Sequence, residues 1–138
     1  MGHSFEFDAA NNIIRCTRTG QVTNDLMFEV YSEAQELLWA RPSCNAIEDF
    51  SGVTRVDVSS EVVRRMADLP VFSSIETLVI VAPQDHIYGL SRMYSILSER
   101  RRNVHVVRTM EEAYSLLGVQ SPQFCRIRKS TDASSTTA

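Results

Sequence analysis

Thr77-Leu78-Val79-Ile80-Val81-Ala82 is a run of six residues in which apolar side chains fall on both faces of an extended chain. This pattern is typical of a strand in the middle of a sheet that other elements cover on at least one side. We therefore predict a central strand here. The rest of the chain is expected to supply the neighbouring strands and the helices that cover it.

The hydrophobic periodicity on either side of this run changes repeatedly between two and about 3.6 residues, which indicates alternating strands and helices. Phe5 and Phe7 alternate with polar residues, a turn-forming stretch follows at 9–12, and a β-branched run occupies 13–19. These features predict an opening hairpin. Residues 44–50 are predicted as a short strand that ends in a turn at Ser51-Gly52.

Four helices are predicted where capping residues precede apolar residues at helical spacing. These places are Thr23-Asn24-Asp25, Ser59-Ser60, Asp85 and Thr109. With a further strand at 104–107, the element order is ββαβαβαβα. Such alternation predicts an α/β fold whose mixed β-sheet combines an antiparallel opening hairpin with parallel crossovers.

The composition is that of one globular domain, with 138 residues of which 43% are hydrophobic and 22% charged. The net charge of −3 argues against a nucleic-acid module held by phosphate contacts. No stretch approaches the roughly 20 apolar residues of a membrane span, and no signal-peptide pattern opens the sequence, so a cytoplasmic protein is predicted. Cys16, Cys44 and Cys125 form no CxxC pair and are expected to be reduced thiols.

The chain is predicted to divide into a domain at 1–118 and a C-terminal tail at 119–138. The tail is basic at first, with Arg126, Arg128 and Lys129, and then rich in serine and threonine. Its last residues include no large apolar side chain that would offset the entropy of ordering, so mobility is expected there.

A search for catalytic and metal-binding patterns gives no convincing set of residues. Gly89-Leu90-Ser91-Arg92-Met93 begins like a nucleophile elbow, but it lacks the second glycine and lies within a predicted helix. The three histidines are scattered without metal-ligand spacing. No catalytic residue, metal or cofactor is therefore predicted. An unrecognised hydrolase stays as a third hypothesis, and it requires Ser91 or Cys44 beside a histidine in space.

Two segments stand out because each lies between the end of a predicted strand and the start of the next helix. Parallel sheets bind ligands and partners at these carboxyl ends of their strands. The first segment carries Asp57, Ser59 and Ser60. The second carries His86 and the helical neighbours Tyr88 and Arg92. These six residues are the candidate binding site, although Ser59 also fits an ordinary helix cap and Tyr88 an ordinary contact with Arg92.

Adjacent acidic residues precede the first segment. Glu48 and Asp49 are consecutive on a predicted strand, so their side chains point to opposite faces of the sheet. This geometry does not suit a shared acid-base pair, and one of the two is expected to point inward or to end the strand.

The first segment also carries a family resemblance. Ile47-Glu48-Asp49-Phe50-Ser51-Gly52-Val53-Thr54, continuing to Asp57-Val58-Ser59-Ser60, resembles the central motif of SpoIIAA-like, STAS-type domains. Tyr88-Gly89-Leu90-Ser91-Arg92-Met93-Tyr94 and Val107-Arg108-Thr109-Met110-Glu111-Glu112-Ala113 resemble small stand-alone bacterial SpoIIAA-like proteins. The resemblance extends from about Phe5 to Gly118. It implies a mixed sheet with its helices packed largely on one side.

The resemblance implies a non-enzymatic regulatory module that engages a protein partner at the strand-to-helix loops. In anti-sigma-factor antagonists of this type a serine in the equivalent loop is phosphorylated, and Ser59 matches it, with Ser60 as the alternate position. The sequence departs from the pattern because Val58 replaces a small polar residue and Ser60 replaces a glycine.

The stand-alone relatives suggest an alternative function, which is to carry or sense a small hydrophobic or amphipathic ligand in a pocket between helices and sheet. Adaptable side chains suit the walls of such a pocket. The candidate wall residues are Met27, Trp39, Met66, Phe72, Met93 and Met110. A homodimer is also predicted, because the opening hairpin is expected to leave an exposed strand edge.

Overall fold

The computed structural model describes residues 2–39, 41–70 and 74–127, and these residues form a six-stranded sheet with helices on both faces. In these ranges six strands have the spatial order β5-β4-β3-β2-β1-β6. In chain order the elements are β1 (Gly2–Asp8), β2 (Ile13–Thr23), α1 (Asn24–Leu38), β3 (Cys44–Asp57), α2 (Ser60–Asp68), β4 (Ile75–Val81), α3 (Asp85–Ser98), β5 (Val104–Val107), α4 (Met110–Leu117) and β6 (Cys125–Arg126).

The strand pairing confirms the predicted α/β class with a mixed sheet. β1 and β2 form the antiparallel opening hairpin, and β2, β3, β4 and β5 are parallel neighbours. The predicted central strand is β4, which lies between β3 and β5, and Val79 and Val81 on it are fully buried. The parallel strands are joined through helices, as right-handed crossover geometry favours.

Three of the four described helices cover one face of the sheet, which confirms the expected one-sided arrangement. Ile14 and Ala46 pack with Val30 and other residues of α1, and Ile80 packs with Ile87 of α3. On the opposite face, the cluster of Ile13, Ile47, Val79 and Val81 packs against α4. The two faces follow from the period-two alternation of the strands, which sends neighbouring residues to opposite sides.

Side-chain caps mark the starts of three of the four described helices. The exception is α3, whose N-cap is Gln84 without a side-chain cap hydrogen bond, so the predicted cap Asp85 is instead the first helical residue. The hydroxyl of Thr23 accepts from the N–H of Leu26, and that of Thr109 accepts from the N–H of Glu112. The carboxylate of Glu112 in turn accepts from the Thr109 hydroxyl, so this turn has the reciprocal character of a capping box. α4 ends at Gly118, whose φ of 72° is the left-handed conformation that glycine adopts most readily.

The predicted turn at Ser51-Gly52 is wrong, because β3 continues through it to Asp57. β2 is also longer than predicted and pairs along the extension, with Thr19 opposite Gly52 and Val22 opposite Val56. Register shifts in this stretch absorb the irregularity. A Cβ at Gly52 would lie 3.1 Å from the Arg18 carbonyl oxygen, so glycine serves close strand approach rather than a turn.

The first part of the predicted tail, residues 119–127, packs against the domain instead of standing apart from it. Val119 is buried, and Phe124 packs against the α4 cluster. β6 pairs antiparallel with β1, with Cys125 opposite Phe7. Because β6 borders part of β1, the hairpin edge that motivated the predicted homodimer is partly covered. The homodimer stays a prediction, and the mobility expected for 128–138 lies outside the described residues.

Asp8 fastens this C-terminal segment to the opening hairpin. Its fully buried carboxylate accepts from the N–H of Gln123 at 2.9 Å, and from the side chain and the N–H of Asn11 at 2.8 and 3.1 Å. Burial by itself raises the pKa of Asp8, but the hydrogen bonds from Gln123 and Asn11 outweigh burial and lower the pKa below 3.8. The charged form is therefore the one that the fold stabilises.

Asp8→Asn is expected to lower the free energy of unfolding by about 1–3 kcal/mol, because an amide cannot accept all three hydrogen bonds. The stabilisation by Asp8 is complete above the ordinary carboxyl pKa and is lost as the pH falls through the lower folded-state pKa. Urea unfolding should therefore separate the variant from the wild-type protein at neutral pH and much less in strong acid. Exposed Asp68→Asn is the control, and equal effects of the two variants would contradict this role for Asp8.

Candidate functional site

A cavity of about 350 Å³ lies between the sheet and the three helices on its covered face. Apolar side chains of β2, β3 and β4 form its floor, and apolar side chains of the helices form its roof. Binding pockets for small molecules begin at roughly 300 Å³, so the size is adequate for a ligand. The main apolar lining residues are Ile14, Val22, Val30, Ala34, Ala46, Phe50, Val63, Met66, Leu78, Ile80 and Leu90.

Small residues on facing elements explain why the core does not close here. Ala46 projects from β3, and Ala34 projects from α1 toward the same cluster. A larger apolar residue at either position would reach into this space.

An ion pair between buried Arg18 and half-buried Glu48 interrupts the apolar wall. Arg18 of β2, only 4% exposed, donates through Nη2 to Oε1 of Glu48 on the adjacent strand β3. The guanidinium also lies 5.2 Å from the centre of the Phe50 ring and 3.6 Å, through Nη1, from the Met27 sulfur. Its Nε is buried and has no hydrogen-bond partner among the described residues. The cavity therefore contains charge and unused hydrogen-bonding capacity.

Helix α3 adds polar groups on the opposite wall. Ser91 is 7% exposed and lines the cavity, and no hydrogen bond of its hydroxyl is found within the described ranges. Tyr94 lines the cavity three residues later, and burial raises the pKa of its phenol. The charge of Glu48 contributes to that increase, which places Glu48 within electrostatic range of this face of α3.

The mouth of the cavity lies at the amino-terminal ends of β4 and β5. The exposed lining residues Pro70, Glu76, Arg101 and Asn103 are grouped there. Arg101 donates to the carbonyl oxygens of Ala67 and Leu69 at 3.0 Å, and Arg102 donates to the same two oxygens, so both guanidinium groups hold the end of α2. Residues 71–73, which follow Pro70, are outside the described part of the chain.

The first predicted binding segment follows the carboxyl end of β3, at the opposite end of the parallel strands from the mouth of the cavity. Ser59 is the N-cap of α2: its hydroxyl accepts from Val62 N–H at 3.2 Å, and its own N–H donates to Oδ1 of Asn24. The Asp57 carboxylate accepts from Gln21 at 2.6 Å and pairs with Arg55 at 3.0 Å. These side chains and Ser60 are exposed, and they border the solvent rather than the cavity.

The second predicted segment forms the first turns of α3. His86 and Arg92 are exposed, and Tyr88 is half-buried. The cation that covers the Tyr88 ring is Arg108, 3.8 Å from the ring centre, rather than the expected Arg92. Arg108 also bonds to Asp85 at 2.7 Å.

Both predicted segments lie at the carboxyl ends of neighbouring parallel strands, β3 and β4. Between these ends, Gln84 donates to the Val53 carbonyl oxygen at 2.8 Å. The described lining of the cavity includes none of the six predicted binding residues. A partner-binding role for them stays a prediction.

The predicted pocket walls are correct in part. Met27 and Met66 line the cavity. Trp39 does not, because it is 89% exposed, and Met110 packs with α4 on the opposite face. Met93 is half-buried outside the described lining, and Phe72 falls outside the described residues.

Sequence reasoning missed Arg18. A signal for it was present, since Ile14, Cys16 and Arg18 share one face of β2 by their spacing of two. Glu48, directly opposite Cys16, is the inward member of the acidic pair at 48 and 49.

The hydrolase hypothesis gains no support from the positions of the histidines. Among the described residues, no hydrogen bond joins Ser91 or Cys44 to a histidine. The same part of the chain contains no group of His, Cys, Asp and Glu residues that could hold a metal ion. No helix in 2–39, 41–70 or 74–127 is long and apolar enough to cross a membrane.

The relative reactivity of the three cysteine thiols should test whether the wall of the cavity is buried. Burial raises the pKa of Cys16, which lines the cavity, from 9.0 to about 12, and burial also raises the pKa of Cys44. Cys125 is exposed. A disulfide reagent at mildly alkaline pH should therefore modify the native protein mainly at Cys125, because the pKa increase alone leaves Cys16 with about a thousandfold less thiolate. Rapid native labelling of Cys125→Ser would contradict the described burial, and labelling after unfolding is the control.

Comparison with known proteins identifies the fold. No protein-family model and no curated protein matches the sequence. A solved structure does match: an uncharacterised protein of the DUF3478 family with a SpoIIAA-like fold, from Shewanella loihica PV-4, superposes with a TM-score of 0.58 at 9% identity. The match covers 84% of this chain and 92% of that one. Together with the strand order and the one-sided helices, it shows that the chain has a SpoIIAA-like fold, as its motifs implied.

Proposed function

We propose that the protein is a non-enzymatic carrier or sensor of a small hydrophobic or amphipathic ligand that occupies the cavity beneath α1, α2 and α3. The supporting observation is the cavity itself, about 350 Å³ in the main core of a small domain. Its wall is apolar except for a few polar groups, the composition expected of a pocket that buries a ligand and fixes its orientation.

The energetics of apolar burial favour an occupied cavity. Because the cavity opens to solvent at its mouth, an apolar ligand would bury apolar wall that water can otherwise contact. A ligand that binds only the folded state would also stabilise it by mass action.

The volume limits the size of the ligand. A cavity of about 150 Å³ accommodates benzene, so this one has room for roughly 14 non-hydrogen atoms. A single-chain or two-ring molecule fits this limit, whereas a membrane lipid with two full acyl chains does not. The exposed mouth between Pro70 and Asn103 is the route of entry that the described residues offer.

Native mass spectrometry of protein purified from its own host tests the proposal, and a non-covalent adduct of low mass is expected. Ala34→Phe should remove the adduct without unfolding the protein, because the phenyl ring would fill part of the cavity. Gln35→Phe is the matched control, since residue 35 is the exposed neighbour on α1. An adduct that is retained equally by both variants would place the ligand elsewhere, and a bare chain that binds no apolar probe would refute the proposal. The same spectrum gives the oligomer mass that tests the predicted homodimer.

A second candidate function is regulated binding of a protein partner at Ser59, in the cytoplasm. The favouring observation is that the exposed Ser59 caps α2 while its N–H bonds to Asn24, the first residue of α1. Two helix N-termini therefore meet at Ser59. A phosphate there would gain from both helix dipoles and would change the surface that a partner meets.

Substitution of the cap tests this arrangement. Ser59→Ala should lower the free energy of unfolding by about 1 kcal/mol, because the N–H of Val62 loses its acceptor. Ser60→Ala, at the first helical residue, should change it by less than about 0.5 kcal/mol. Thermal or urea unfolding measures both values, and a phosphate mapped to Ser59 in the host protein would support the partner-binding function. Phosphate mapped only to other positions would count against it.

A further inference from the structure

We propose that the ligand carries an uncharged hydrogen-bonding group, such as a hydroxyl or a carbonyl, at its inner end, where Arg18, Glu48 and Ser91 receive it. This inference rests on the proposed ligand-binding function and specifies the chemistry of that ligand. It follows from the charge balance of the inner cavity and from the hydrogen bonds that its polar groups have left to make.

The charge balance comes from the residues that line the cavity. Of the five charged residues in the described lining, Glu76 and Arg101 are exposed at the mouth. Arg102 is half-buried, 5.7 Å from the centre of the Tyr94 ring, and the carbonyl oxygens of Ala67 and Leu69 bind its guanidinium. The inner cavity is left with Arg18 and Glu48, which are paired with each other. One positive and one negative charge in contact leave no net charge for an ionic ligand group to neutralise. A carboxylate beside Arg18 would also lie near Glu48, and an ammonium beside Glu48 would lie near Arg18.

The cost of desolvation further disfavours a charged ligand group in the inner cavity. Arg18 is nine-tenths buried or more, and its surroundings include Phe50 and Met27. Burial already raises the pKa of neighbouring Cys16 to about 12, so this part of the wall disfavours a further charge. An ion that entered would lose its hydration without gaining an unmatched partner. An uncharged polar group avoids that cost.

The polar groups of the inner cavity nevertheless have capacity to spare. Oε1 of Glu48 accepts from Arg18, whereas its Oε2 has no partner in the described part of the chain. The Ser91 hydroxyl and Arg18 Nε are likewise unpaired among the described residues. Among these atoms only Arg18 Nε is fully buried, whereas Oε2 of Glu48 and the Ser91 hydroxyl retain accessible surface on residues that line the cavity. A ligand hydroxyl can donate to Oε2 of Glu48 and accept from the Ser91 hydroxyl, beside the charge of Arg18.

Decanol and decanoate provide a matched pair of probes, because each fits the limit of roughly 14 non-hydrogen atoms and they differ at the head group. Their affinities for the delipidated protein are measured by displacement of a fluorescent apolar probe, at a pH where decanoate is ionised. The wild-type protein is expected to bind decanol about tenfold more tightly than decanoate.

Glu48→Gln is the decisive variant. It leaves the Arg18 charge unmatched, so the preference should move toward decanoate by about tenfold or more. Glu36→Gln is the matched control, because it removes the same charge from an exposed residue of α1 outside the described lining and should leave the preference unchanged. Ser91→Ala should weaken decanol binding about fivefold with little effect on folding, which keeps the test valid if Glu48→Gln unfolds.

The outcomes separate this inference from the function on which it rests. If both probes bind, and the preference is the same in Glu48→Gln, Glu36→Gln and wild type, the cavity binds ligands but does not select an uncharged inner group, and the inference is wrong. An unchanged decanol affinity in Ser91→Ala, where Glu48→Gln does not fold, leads to the same conclusion. If neither probe displaces the dye from any variant, the proposed function fails together with the inference.

Discussion

The parallel pairing of β2 with β3 is the constraint on which the rest of the structure depends. It extends from Ile13 opposite Asn45 to Thr23 opposite Asp57. Along the first part of this pairing, Cys16 faces Glu48, and the alternation of side chains then places Arg18 next to Glu48 on the covered face. The same pairing leaves Ala46 on the floor of the cavity. The position of the ion pair and the position of Ala46 on the cavity floor thus both follow from the register between β2 and β3.

The ion pair between these strands is an unusual choice for the middle of a core. Arg18 is buried and Glu48 is half-buried, and the desolvation of such a pair offsets much of the attraction between its charges. Arg18 also retains an unpaired Nε among the described residues. This arrangement fits the proposed ligand-binding function, because polar groups in an apolar pocket fix the orientation of a bound ligand.

The sequence was informative wherever local chemistry decides the structure. The run at 77–82 predicted β4, and Thr109 with Glu112 predicted the start of α4, because a two-faced apolar strand and a capping box are readable within a few residues. The full length of β3 was not predictable in this way. Ser51-Gly52 has ordinary turn chemistry, and only its pairing with the extended end of β2 overrides that preference.

The candidate site was less predictable than the fold because it depends on which side chains fail to meet. Methionine content identified Met27 and Met66 as walls but also suggested Trp39, which is exposed at the end of α1. A cavity arises from small residues on elements far apart in sequence, here Ala34 and Ala46. Parallel sheets commonly bind ligands at the carboxyl ends of their strands, so the prediction concentrated on that end. The mouth of the cavity lies instead at the amino-terminal ends of β4 and β5.

The pairing of β6 with β1 has a consequence for biosynthesis. Glu6 pairs with Arg126, so β1 acquires its outer neighbour only after residue 126 has been synthesised. Buried Asp8 likewise waits for Gln123 to donate its hydrogen bond. Contacts between such distant parts of a chain form slowly and leave strand edges available for aggregation in the meantime. During translation, the outer edge of the opening hairpin therefore lacks its neighbour β6 until the C-terminal segment has been synthesised.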